Sequence, residues 1–239
     1  RCGIPEEVEF ASKPELAWQM IEHAIEEDTL PFQWVTCDEA FGDNTGLLDQ
    51  LDEAGCWYFV DVSRSTRVWE KRPETYVPEY EGFGRPPSRP RLVDDAPDPV
   101  RVDELAENLP DDAWSRHQVK EGEKGPIEAD FAFIRATAMR DGLPGPEIWV
   151  VFRRGLGENS ELKYFVSNAP ADIDRQELVR ISGMRWPIEV CFEEAKGELG
   201  MDEYQTRSWL GWHHHMTLVI LAHHFLVKTR LKHKKGSPS

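Results

Sequence analysis

The chain has 239 residues, 40% hydrophobic and 30% charged, enough for one large core domain or a core carrying a sizeable insertion. No apolar run reaches the roughly 18 residues that cross a bilayer, and the most apolar stretch, residues 216–227, is interrupted by His223 and His224, so no membrane partner is expected. The net charge of −16 argues against a general affinity for nucleic acid, because phosphate contacts need Lys and Arg. That charge is unevenly spread. Residues 1–56 are strongly acidic, whereas Arg64, Arg67, Lys71, Arg72, Arg85, Arg89 and Arg91 crowd one segment and residues 228–235 form a basic tail. A polarised chain can hold DNA on one side despite an acidic total. Cys2, Cys37, Cys56 and Cys191 show no metal or disulfide spacing and read as thiols of a reducing cytoplasm. The sequence opens on Arg1 with no secretory signal, and a piece of a longer protein is the expected reading.

In chain order, Ser12 and Pro14 precede Leu16, Met20, Ile21 and Ala24 at helical spacing, which predicts a capped helix over 12–28. The run 32–37 is rich in aromatic and β-branched residues and exits at Asp38, so it predicts a buried strand with a carboxylate at its tip. Residues 44–54 predict a short helix with Leu47, Leu48 and Leu51 on one face, stopped by Gly55, and 57–62 predict a second strand. Helix, strand, helix, strand in quick succession implies an α/β layer with parallel strands. From Ser63 to about Pro126 prolines, glycines and charges dominate, and 82–91 is nearly low-complexity, read as an extended loop. A short helix is expected over 100–109, then antiparallel strands over 113–120, 127–139, 147–154 and 162–167. Beyond Pro170 the chain turns helical: Asp174 can cap a helix through Leu178 and Ile181, Pro187 suits the first turn of another, and 212–232 forms the last, ended by Gly236 and Pro238. The expected division is a first part of the core over 1–62, a β-rich insertion over 63–170, and a helical remainder with a basic tail over 171–239.

The chemistry concentrates at Arg185, Glu189 and Lys196. On a helix these project from one face, so the carboxylate is bracketed by two cations. Taken alone, this is an ordinary salt bridge on a solvated helix, or a carboxylate that holds a metal beside two phosphate-binding cations. His213–His215 cannot converge on one ion, because helical neighbours point about 100° apart, and no zinc spacing exists. Trp69, Trp114 and Trp149 fall in the insertion, where either core packing or stacking on a DNA base suits them.

The run 183–200 resembles the C-terminal signature of insertion-sequence transposases with a DDE (Asp, Asp, Glu) core, in which Tyr, Arg, Glu and Lys recur as Y-x2-R-x3-E-x6-K; Arg185, Glu189 and Lys196 match, and Ser182 stands where the Tyr would be. The resemblance extends over 207–216, 163–170, 121–125 and 84–90. The family's second aspartate ends a core strand in a context like V-x-x-D-E-x-[YF]-G-D, and Val35-Thr-Cys-Asp38-Glu-Ala-Phe-Gly-Asp43 is similar. The resemblance implies an α/β, ribonuclease H-like core lacking its first strands, interrupted by a β-rich insertion and closed by C-terminal helices. Asp38 and Glu189 are then catalytic, metal-holding carboxylates, with Arg185, Lys196, Arg85, Arg89 and Arg91 contacting DNA phosphates. Mg2+ or Mn2+ is the implied cofactor, two ions about 4 Å apart. The implied partner is double-stranded DNA, both transposon ends and target, engaged by a homodimer in the cytoplasm. The first aspartate has no counterpart: residues 1–36 offer no strand bearing Asp. Asp61, within the strand after Asp38, is a candidate substitute. A remnant that only binds DNA or dimerises is the alternative.

Overall fold

The computed structural model describes residues 2–28, 30–80, 82, 85–122, 125–157 and 161–234. They gather into two units, Ser12–Met184 and a second made of Arg1–Ala11 with Arg185–Ser239.

The first unit opens with α1 (Lys13–Glu26), whose start is fixed by the Ser12 N–H donating to Glu15 Oε2 at 2.7 Å and by Pro14 in the first turn. Next come β1 (Trp34–Cys37), the single turn α2 (Glu39–Gly42), α3 (Thr45–Glu53) and β2 (Trp57–Asp61). Asn44 caps α3 by accepting from the Leu47 N–H at 2.8 Å. β1 and β2 are parallel, with Cys37 opposite Val60, as the alternation of helix and strand predicts.

The segment that follows holds four minor strands, β3 (Arg67–Trp69), β4 (Thr75–Tyr76), β5 (Arg91–Leu92) and β6 (Val100–Arg101), and the short α4 (Val102–Glu107). The long strands β7 (Ser115–Gly122), β8 (Gly125–Arg140), β9 (Leu143–Gly155) and β10 (Leu162–Ser167) come next, then α5 (Arg175–Ser182). Their pairing is antiparallel, as expected. β10 hydrogen-bonds to β2, so the strands run in one mixed sheet, β1-β2-β10-β9-β8-β3-β6, with β7 on β8. In place of one extended loop, part of the proline-rich stretch pairs, Tyr76 facing Arg91. Phe83 and Gly84 of that stretch, and Lys235, Gly236 and Pro238 at the end of the last helix, lie outside the described residues.

Strand alternation gives the sheet two apolar faces. Tyr58, Val60, Ala132, Val150 and Phe152 pack with Leu47, Leu48 and Leu51 of α3 and Val102 and Leu105 of α4. Phe59, Phe131, Val151, Trp149 and Phe165 pack with Leu178, Val179 and Ile181 of α5. Because both faces are covered, β9 reads as a continuous buried run rather than an alternating one. Trp69 and Trp149 are 2% and 5% exposed, their Nε1 groups donating to the carbonyls of Pro97 (2.8 Å) and Pro170 (3.0 Å). Of the two readings open for them, core packing is the one observed. Trp114 is half-buried, with the Arg154 guanidinium 4.4 Å above its ring.

Tyr58 lies in the first face, 1% exposed, and burial pushes its phenol up to about 12, partly opposed by the neighbouring Arg140 guanidinium. A phenol held above its ordinary value near 10 contributes stability that is complete below that value and lost as pH rises through 12. Stability to urea is therefore expected to fall between pH 10 and pH 12. Tyr58→Phe should flatten that alkaline decline, at a cost of about 1 kcal/mol at neutral pH for the lost hydrogen bond with Arg140.

The second unit is a helical hairpin, α6 (Trp186–Leu199) and α7 (Trp209–Lys234), with Pro187 in the first turn of α6 and Gly200 ending it at φ 65°. Ala195 and Val219 are its buried apolar contacts. Glu194 on α6 accepts from His223 on α7 at 3.2 Å and from Arg230, which also pairs with Glu198 at 3.2 Å. No helix of the described residues is long and apolar enough to cross a membrane.

Candidate active site

In the first unit the chemistry-bearing residues collect where β1 and β2 end. The β1 strand hands over directly to α2, and Asp38 occupies the junction with extended backbone (φ −79°, ψ 177°). Its carbonyl accepts from the N–H groups of Phe41 (3.1 Å) and Gly42 (2.9 Å), but its carboxylate makes no capping hydrogen bond. The carboxylate is exposed at the tip of a core strand, uncommitted to the local backbone. Gly42 keeps the turn this tight: a Cβ there would sit 1.9 Å from the Asp61 carbonyl oxygen. Asp43 ties the turn to the loop after β2, accepting from the Ser63 N–H at 3.0 Å and from Thr66 Oγ1 at 3.3 Å. It shapes the loop, as its position next to Gly42 suggests.

Asp61 lies on the same face of β2 as Phe59 and opposite Phe165 of β10. It is half-buried. The Cys37 thiol is pushed up to about 11, by burial first and then by the negative charges of Asp38 and Asp61. The Arg153 guanidinium is lowered by burial, which Asp61 partly offsets. Asp61 also lines an open groove of about 710 Å³ with Glu39, Ser63, Arg64, Lys163 and Tyr164. Ligand sites of α/β sheets lie beyond the carboxyl ends of parallel strands, and this groove does.

The second unit holds the other predicted cluster. Arg185 precedes the first turn of α6 and its Nη1 lies 2.8 Å from Glu189 Oε1, with side-chain exposures of 29% and 42%. Lys196 is exposed two turns further on. Arg185 and Glu189 thus form an ion pair one turn apart at the start of α6. Ser182, at the position expected for Tyr, closes α5 in the first unit by donating to the Val179 carbonyl at 2.7 Å. Arg85, Arg89 and Arg91 are exposed, Arg91 within β5. His215 Nε2 donates to the Gly200 carbonyl at 3.0 Å, and His213 packs on Trp209 with ring centres 4.3 Å apart.

The available donors for a metal are carboxylate oxygens, the class that Mg2+ and Mn2+ take. Among the described residues no three His, Cys, Asp or Glu side chains gather closely enough to hold an ion. The described residues ahead of β1 form one helix and no strand.

The sequence profile of the DDE superfamily endonucleases matches residues 1–126, more than half of the chain. The chain belongs to that family. The matched span contains Asp38 and Asp61, and Glu189 lies beyond it. DDE superfamily endonucleases act on DNA and generally use divalent metal ions. The mixed α/β sheet followed by C-terminal helices is consistent with a ribonuclease H-like DDE endonuclease fold. No curated protein matches the chain.

Two cations of the neighbouring strands, Arg153 on β9 and Lys163 on β10, are register partners at this end of the sheet and belong to no motif of the sequence. The signal was there for Arg153: in the run 149–155 it alternates with Trp149 and Val151, which places a cation on a core-facing register.

Proposed function

We propose that this chain is the catalytic part of an insertion-sequence DNA transposase, with Asp38 and Glu189 as two of the three metal-holding carboxylates. The observation that carries the reading is the exposed, uncapped carboxylate of Asp38 at the end of a core strand, inside the span matched by the DDE endonuclease family. Residues 63–170 are then an insertion between two parts of the core, 1–62 and 171–239. Mg2+ or Mn2+ would be held by Asp38 and Glu189, and when bound supplies activation of the attacking hydroxyl and stabilisation of the departing oxygen. Arg185 orients Glu189 through its ion pair. Lys196, with Arg85, Arg89 and Arg91, offers charge to the phosphate backbone.

The reading needs a third carboxylate. That carboxylate would stand on a strand paired with β1, which is one end of the sheet order among the described residues. Transposon ends and target DNA are the substrates, a homodimer in the cytoplasm the working form. Residues 1–239 alone would then hold DNA without cutting it.

The test is Mg2+-dependent nicking of supercoiled DNA carrying the element's ends by the full-length protein. Glu189→Gln is expected to abolish nicking, and undiminished nicking would overturn the assignment of Glu189. A second reading, a module that binds DNA or dimerises without catalysis, draws on the lack of a three-ligand group among the described residues. It predicts salt-sensitive DNA retention with no nicking by the full-length protein at any Mg2+ concentration.

A further inference from the structure

At the carboxyl end of the sheet, cations stand beside the carboxylates. Lys163 on β10 is the register partner of Arg153 on β9, and two residues along β10 Phe165 faces Asp61. Alternation puts Arg153 on the face of Val151 and Lys163 on the face of Phe165, so both extend the second apolar face by one step.

We propose that Arg153 and Lys163 form a subsite for one phosphodiester of a DNA backbone lying in the groove beyond β1 and β2. This rests on the DNA-acting reading given above. Lys163 is exposed and lines the groove with Asp61, Glu39 and Arg64. Arg153 is half-buried, its guanidinium 6.0 Å from the centre of the Phe131 ring, and the carboxylate whose charge acts on it is that of Asp61. The other partly covered arginines of this unit are matched: Arg140 with Asp49 at 2.8 Å, Arg101 with Asp103 at 2.6 Å and Arg135 with Glu147 at 3.7 Å. The Asp61 charge and the Phe131 ring offset only part of the hydration that Arg153 loses, so the cation favours an incoming anion. Neighbouring strands are about 4.8 Å apart, which lets two cations from β9 and β10 share one phosphate. The groove is open rather than enclosed, which suits a continuous backbone better than a free anion. On a chain of net charge −16, such a placed pair does what a general basic surface cannot.

The experiment is fluorescence anisotropy of a labelled duplex with the whole chain across a salt series. Lys163→Gln and Arg153→Gln are each expected to weaken binding roughly tenfold, the worth of one charge-assisted contact, and to lower the slope of log affinity against log salt by roughly 0.9. Arg116→Gln, which removes a cation paired with Asp130 at 3.0 Å, should leave the slope unchanged. Lys163 is exposed, so Lys163→Gln keeps the test decisive even where Arg153→Gln lowers stability. A wild-type chain that binds the duplex, with an unaltered slope in Lys163→Gln, overturns the subsite and leaves the functional reading standing. Displacement of the duplex by inorganic phosphate at equal charge concentration would assign the pair to a free anion instead, and overturn the backbone proposal. A wild-type chain that does not bind duplex at low salt removes the functional reading itself.

Discussion

Asp38→Asn is expected to lower Mg2+-dependent strand cleavage by the full-length protein on the order of a thousandfold or more. That is the several kcal/mol a metal-held carboxylate contributes to the transition state. The amide keeps the size of the side chain and removes its charge. Because the carboxylate is exposed and caps nothing, the same change should alter stability by no more than about 0.5 kcal/mol. Mn2+ affinity, followed by electron paramagnetic resonance, should fall at least about tenfold, a readout independent of turnover. Asp43→Asn is the matched control five residues on, where the carboxylate holds Ser63 and Thr66. There the loss should register in stability, with Mn2+ affinity retained. A variant Asp38→Asn that is destabilised and still cleaves would make the residue structural.

Phe152→Ala should cost about 3–5 kcal/mol of folding stability, the range for a deleted core aromatic. Phe152 is fully buried in the middle of β9, paired with Ala132 on one side and Tyr164 on the other. Its ring lies 6.3 Å from that of Trp114 and 6.1 Å from that of Tyr164. Ala132 has no side chain long enough to fill the void, and strands held by ladders on both edges cannot close over it. Urea denaturation monitored by tryptophan fluorescence measures the loss. A cost below about 1.5 kcal/mol would show that the face repacks.

The parts of the fold that were legible in the sequence are those with a local signal. Asn44 and the leucines at 47, 48 and 51 define α3, the aromatic run at 57–61 defines β2, and Pro187 marks the first turn of α6. The place of Asp38 at a strand exit was legible because an aromatic and β-branched run followed by Gly42 is a local pattern too, whereas its catalytic role was read from the family resemblance alone. β3 and β6 were not. Strands of two or three residues carry no periodicity, and they pair only because β8 presents an edge to them. Alternation in 149–155 marks the core-facing register of Arg153, but the neighbourhood of Arg153 and Lys163 to Asp61 depends on the register of β2, β10 and β9, which no stretch of sequence encodes by itself. The fate of Trp69 and Trp149 likewise followed from carbonyls at Pro97 and Pro170 that come near only in the folded chain.

The pairing of Asp61 with Phe165 has a consequence for biosynthesis. One edge of β2 stays without its neighbour until about a hundred further residues have left the ribosome, a wait of roughly 5–20 s at ordinary elongation rates. During that interval the nascent chain presents a naked, aromatic-rich ladder, a natural target for holdase chaperones, and a stop codon placed before residue 162 would leave it permanently sticky.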